Sequence, residues 1–179
     1  ESGKETVNGV VIAPSRFIGI DIGVVNDFTV CTCIDEFGAV INIDRFNMAD
    51  EKYSHKEFKD RIARFYRKHD RHLVAAYMEV NNKELLYDEL TAEYEMYKLH
   101  DVLTTAGNKA TMVDQLIKLF DTSVIRIPHN EQLEKELYAF SSVQNKVTDK
   151  WQYRGSDNIH DDMVISMVLA VVCLNEETS

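Results

Sequence analysis

From residue 17 to residue 23 the chain alternates strictly. Ile18, Ile20 and Ile22 fall on one face of an extended segment, and Phe17, Gly19, Asp21 and Gly23 on the other. This predicts a strand with an acid on its less crowded face. Two further strands, over residues 27–34 and 39–46, flank Asp35-Glu36-Phe37-Gly38, whose glycine suits a hairpin turn. An antiparallel meander therefore opens the domain. It follows a polar opening segment or linker over residues 1–15, where Gly3, Gly9 and Pro14 argue against a core element.

The period then changes. Ser54-His55-Lys56-Glu57 has capping-box spacing, and Phe58, Ile62, Phe65 and His69 recur at helical intervals, predicting a helix over 54–69. Residues 73–80 read as a strand ending in Met-Glu-Val. A helix capped by Asn81 or Asn82 follows, with Leu86, Leu90, Tyr94 and Tyr97 on one stripe. A short strand over 102–105, a helix over 108–121 and a strand over 124–127 continue the alternation, which implies parallel strands and right-handed crossovers. Residues 141–154 alternate around a polar centre and predict a protruding hairpin. The last element, 158–174, is apolar on nearly every side beyond its first turn, so it predicts a helix buried against the sheet. The expected architecture is a single α/β domain over 16–179: a mixed central sheet, its first three strands antiparallel and the rest parallel, flanked by helices on both faces.

Composition narrows the class. A chain of 179 residues, 45% hydrophobic and 28% charged with 7 Gly and 2 Pro, has the size and make-up of one globular domain, and is neither disordered nor collagenous. Its longest apolar stretch, 163–174, falls short of the roughly 18 to 20 residues a membrane span needs. Cys31 and Cys33 share a strand face and read as core thiols in a reducing compartment; no Cys/His set has zinc-finger spacing. The start has no secretion signal and no initiator Met, which suggests a segment of a longer chain. The net charge of −10 argues against affinity built on neutralising phosphates, but the charge is segregated. Eight Lys or Arg lie between Lys52 and His72 against Glu57, Asp60 and Asp70, whereas Asn82 to Asp101 holds six acids and two lysines.

Carboxylates stand in three places where they gain little structurally. Asp21 lies in an otherwise apolar strand, Glu79 ends another, and Asp161-Asp162 opens an apolar helix. Each has an innocent reading: a turn-forming strand end, a solvated terminus, first-turn acids that complement the helix dipole. A buried strand aspartate is costly unless hydrogen-bonded, protonated or metal-bound, and the glycines at 19 and 23 are expected to leave room for a ligand beside it. Together the acids change the picture. Asp21 and Glu79 at the carboxyl ends of neighbouring parallel strands face one crevice, and the final helix adds Asp161 and Asp162. Oxygen-only ligands select hard cations such as Mg²⁺ or Mn²⁺, and two such ions about 4 Å apart suit in-line phosphodiester hydrolysis.

Gly19-Ile20-Asp21-Ile22-Gly23 on the first strand of the meander, Met78-Glu79-Val80-Asn81 on the fourth, and His160-Asp161-Asp162-Met163 on a C-terminal helix resemble the RNase H-like nuclease domain of tailed-phage terminase large subunits. The resemblance runs from about Arg16 to Leu174. It implies a metal-dependent endonuclease that cuts concatemeric double-stranded viral DNA during genome packaging, with two Mg²⁺ or Mn²⁺ ions, in the cytoplasm of the infected bacterium. It also implies Asp21, Glu79, Asp162 and Asp161 as catalytic metal ligands, with His160 orienting a water or serving structure. Its implied partners are the terminase ATPase domain, the portal and the small terminase subunit. The chain has no Gly-x-x-x-x-Gly-Lys-Ser/Thr loop, so the motor is expected to lie outside this sequence.

Lys146, Lys150 and Arg154 interleave with Trp151 and Tyr153, a mixture that suits DNA-backbone contact and base packing, and Lys109 is a further candidate. Arg61, Arg64, Lys68 and Arg71 form a basic helix stripe for which a solvated face is the simpler account. Three other readings compete. Gly-Ile-Asp-Ile-Gly also resembles the first phosphate motif of the actin and hexokinase superfamily, but that fold needs two halves and leaves Asp161-Asp162 idle. A Holliday-junction-resolvase-like nuclease uses a similar carboxylate set. A non-catalytic RNase H-like docking module keeps the fold without the chemistry.

Overall fold

The computed structural model describes residues 5–23, 26–144, 151–154 and 160–179. A short antiparallel hairpin comes first, β1 (Glu5–Val7) and β2 (Val10–Ile12). The sequence reading gave residues 1–15 no element. The turn is Asn8-Gly9, with φ of 53° and 78°, the left-handed pair that a two-residue hairpin requires.

The central sheet is built from β3 (Arg16–Asp21), β4 (Thr29–Asp35), β5 (Val40–Phe46), β6 (Leu73–Glu79) and β7 (Leu99–Val102), in the order β5-β4-β3-β6-β7. The first three pair antiparallel, and β6 and β7 join parallel, as expected. Helix α1 (His55–His69) crosses over from β5 to β6; Ser54 and Glu57 exchange the reciprocal bonds of a capping box. Helix α2 (Glu84–Ala92) links β6 to β7. Helices α3 (Ala106–Asp121) and α4 (Glu131–Ala139) precede the antiparallel pair β8 (Ser141–Gln144) and β9 (Trp151–Arg154), and α5 (Asp162–Glu177) ends the fold.

Both sheet faces are covered. Phe17, Ala75 and Tyr77 pack with α3, α4 and α5, while Ile18, Ile20, Cys31, Cys33, Ala76 and Met78 pack with α1 and α2. The thiols are buried and unpaired, as read.

Several elements differ from the expectation. Helix α2 stops at Ala92, before Tyr94 and Tyr97, because Glu95 turns the chain at φ 55° toward β7. That strand starts three residues earlier than the periodicity suggested, since Leu99 is the buried partner of Ala76. The segment 124–127 makes, among the described residues, a single bridge, Arg126 beside Ala39, with bonds of 2.8 Å from Val40 N–H to Arg126 O and from Arg126 N–H to Gly38 O. Helix α4 was not predicted: its short span has Leu133 and Glu136 as its buried positions, too few to show a period.

Candidate functional site

Helix α5 lies directly on β3 because Gly19 has no side chain. A Cβ there would stand 2.0 Å from the carbonyl oxygen of Ser166 and 2.4 Å from the amide nitrogen of Ala170. Ser166 Oγ sits 2.9 Å from Gly19 O, 3.0 Å from Val30 O and 2.9 Å from Thr32 Oγ1, which ties the helix to two strands. One helical turn before Ser166 is Asp162, and two strand residues after Gly19 is Asp21. Since one helical turn and two strand residues advance similar distances, the contact sets both acids at the same end of the sheet.

Asp21 ends β3 and Glu79 ends β6, one position beyond the Ile20–Met78 pair, so both leave the same carboxyl edge. Asp21 is 9% exposed. Burial raises its carboxyl well above the usual range; Asp162 and Glu79 push it further, Lys83 opposes and Asp161 adds. The Asp162 carboxyl is pushed up to about 6, mainly by burial, with His160 opposing and Glu136, Asp161 and Asp27 adding. Among the described residues its buried Oδ2 has no hydrogen-bond partner; His160 Nδ1, at 3.7 Å, is beyond hydrogen-bond length.

This donor set fits a hard divalent cation: all oxygen, mutually repelling, with one orphaned buried oxygen. Among the described residues, however, no three acidic, histidine or cysteine side chains close tightly enough to form a finished cage. The acids share an electrostatic field rather than a completed coordination sphere.

Two supports were not legible in the sequence. Thr104, just past β7, donates its hydroxyl to Glu79 Oε1, and Asn81 clasps Thr104 with Nδ2 2.6 Å from its carbonyl oxygen and Oδ1 3.0 Å from its amide nitrogen. Asn81 is therefore not the expected helix cap; that place is taken by Lys83, without a side-chain bond, after Asn82 turns at φ 60°. The second support is Glu136 of α4, fully buried. It accepts the Met163 N–H at 2.8 Å and a Gln132 Nε2 proton at 3.1 Å, and Arg45 Nε lies 3.9 Å away. Glu136 thus serves the otherwise unpaired Met163 amide in the buried first turn of α5, complementing the helix start as Asp161 and Asp162 were expected to do. Beside it, the Arg45 guanidinium lies 3.3 Å from the Phe28 ring centre, and Phe28 meets His160 edge-on at 5.6 Å.

No protein-family model and no curated protein matches this sequence. Solved structures do. The large terminase nuclease of thermophilic phage G20c with bound magnesium aligns at 21% identity and a TM-score of 0.72, over 89% of this chain and 81% of that one. The fold is that of a large-terminase nuclease domain. The nuclease domain of the bacteriophage SPP1 large terminase with bound Mn aligns at 15% identity and a TM-score of 0.61, over 87% of this chain and 84% of that one. The HK97 bacteriophage large terminase aligns at 13% identity and a TM-score of 0.68; 94% of this chain matches 40% of it.

Within this terminase nuclease fold, the structure gathers Asp21, Glu79, Asp161 and Asp162 at one edge of the sheet. Asp162 is the first residue of α5 and Asp161 its N-cap. The glycines do not leave room for a ligand. Gly19 is filled by α5, and a Cβ at Gly23 would meet the backbone of Asp27 at 2.5 Å. The face of Asp21 is consequently the crowded one. Of the DNA candidates, Lys146 and Lys150 lie outside the described residues, Trp151, Tyr153 and Arg154 fall on β9, and Lys109 sits half-buried in the first turn of α3, which packs beside β9.

Proposed function

We propose that this domain is a metal-dependent DNA endonuclease of a viral packaging terminase, cutting concatemeric double-stranded DNA by two-ion phosphodiester hydrolysis in the infected bacterial cell. The observation that carries the reading is Asp21, buried beside Asp162, Glu79 and Asp161 at the carboxyl edge of the sheet. That edge is where open α/β sheets hold ligands, and the fold is shared with terminase nucleases whose structures contain magnesium or Mn.

In this reading Asp21, Glu79 and Asp162 hold Mg²⁺ or Mn²⁺, with Asp161 as a further ligand or water-holding group. Consecutive helix positions diverge by about 100°, so Asp161 and Asp162 take different roles. Bound cations supply charge neutralisation, an activated water and stabilisation of the leaving oxygen. Thr104 fixes the Glu79 carboxylate, and Glu136 fixes the helix turn that presents Asp162. Lys146 and Lys150, with Trp151, Tyr153 and Arg154 of β9 and Lys109, contact DNA. The ATPase motor, portal and small subunit are the assembly partners.

The test is cleavage of supercoiled plasmid in Mn²⁺, Mg²⁺ or EDTA by wild type and Asp21→Asn, purified identically. Metal-dependent nicking and linearisation that the variant lacks is the expected result. The open spacing of the acids favours one second reading, a docking module without chemistry. Absence of cutting in every metal, from a folded protein whose melting temperature no divalent ion shifts, would select it.

A further inference from the structure

The basic stripe on α1 lines a concave surface. Between α1 and β5 lies an open cleft of about 720 Å³, walled by Asn42, Tyr53 and Phe65 and edged by Arg64, Arg67 and Lys68. It is on the α1 side of the sheet, whereas Asp21 faces α5 on the other side.

Its cations are not equally spent. Arg61 is locked by Asp44, with contacts of 2.7 and 2.9 Å, and lies 4.3 Å from the Phe46 ring centre. That pair cancels its own charge. Arg67 gives one proton to Tyr94 O at 3.3 Å. Arg64 and Lys68 are exposed, and among the described residues neither side chain has a hydrogen bond or ion pair. Asp60, which feels Arg64, is already bonded to Lys56 at 2.7 Å and Tyr94 at 2.7 Å. An unspent positive strip remains in a chain of net charge −10.

We propose that this cleft is a second contact for the sugar-phosphate backbone of DNA, separate from the cutting edge. The choice of DNA rests on the nuclease reading. A cluster of four acids repels phosphates, so a chain that holds DNA there needs cations elsewhere on its surface. Arg64 and Lys68, four residues or about 6 Å apart along the helix, span one to two nucleotides of a strand that rises about 3.4 Å per step. Contacts of this kind position a duplex without reading its sequence. Because the two sites are on opposite faces of the sheet, the cleft grips DNA away from the segment being cut.

The experiment is duplex DNA binding in EDTA across a series of salt concentrations. It compares wild type, Arg64→Ala/Lys68→Ala and, as a control on the same helix, Lys56→Ala. The double variant should lower the slope of log K against log salt by about two, and Lys56→Ala by none. Metal-dependent single-turnover cleavage at saturating DNA should be unchanged in both. A wild-type slope in the double variant overturns the proposal and assigns the cleft to an acidic protein segment instead. An equal fall in Lys56→Ala overturns it as a general charge effect, and a wild type that binds no DNA overturns it outright. Binding in EDTA does not use the metal site, so a wild type that binds but never cuts overturns the nuclease reading alone.

Discussion

The hydroxyl of Ser166 lies 2.9 Å from the carbonyl oxygen of Gly19, where the backbone of α5 comes close against β3. This contact couples the core to the site. It fixes the axial position of α5, and with it the height of Asp162 over Asp21. The same glycine that begins the Gly-Ile-Asp-Ile-Gly signature is therefore a packing device, not part of a ligand cradle.

Gly19→Ala should be severely destabilising for its size. The added methyl meets backbone atoms of α5 at 2.0 and 2.4 Å, which no rotamer change relieves. Overpacking of this kind costs on the order of 3 kcal/mol, and the shift of α5 should abolish metal-dependent cleavage as well. Urea denaturation monitored by circular dichroism checks the first part. A variant within about 0.5 kcal/mol of wild type would contradict the close-approach account.

Glu136→Ala and Glu136→Gln should behave differently. Alanine leaves the Met163 N–H unpaired at a buried helix start and should cost about 2 kcal/mol. Glutamine keeps an acceptor for that amide and should retain most of the stability. If Glu136 orders the turn carrying Asp162, cleavage rate should follow the same ranking. Equal stabilities for the two variants would show that the helix start has another acceptor.

The contribution of the Asp162 carboxyl to metal-free stability should fall as pH rises, against the opposite contribution of His69, whose imidazole is held down at about 4 by burial. The Asp162 carboxyl goes from an ordinary 3.8 to about 6 in the folded protein, so the native state holds its proton more tightly than the unfolded chain does. This contribution is complete below 3.8 and is lost as pH climbs through about 6, a change of about 3 kcal/mol. The raised Asp21 carboxyl acts in the same direction. Melting temperatures of wild type and Asp162→Asn from pH 4 to 8 in EDTA test this: wild type should lose stability relative to the variant as pH rises through about 6, and a pH-independent difference would contradict it. Divalent ions should reverse the trend, since they bind the deprotonated acids and favour the folded state.

Thr104→Val should act on Glu79 without touching Asp21. It removes the hydroxyl that bonds Glu79 Oε1 but leaves the Thr104 backbone clasp to Asn81 in place. The expected outcome is a stability loss of about 1 kcal/mol, with a higher Mn²⁺ concentration needed for half-maximal cleavage. An unchanged metal titration would show that Glu79 needs no fixing.

The sequence by itself determined the strand meander, the capped helix α1, the buried C-terminal helix and the acids worth watching. Alternation and helical period are local consequences of which side chains leave water, and Asp21, Glu79 and Asp161-Asp162 stood out because each interrupted such a pattern. Helix α4, the early start of β7 and the Asn8-Gly9 hairpin were read wrongly where elements were too short to show a period or a turn signal was passed over. Only the tertiary structure decided what Gly19 and Gly23 are for, because close approach depends on which backbone arrives from far along the chain. It also decided that Glu136 and Thr104 belong beside the acids. Neither residue breaks a local pattern; each acquires its role from an amide or carboxylate supplied by another element, 27 residues away for Glu136 and Met163 and 25 for Thr104 and Glu79.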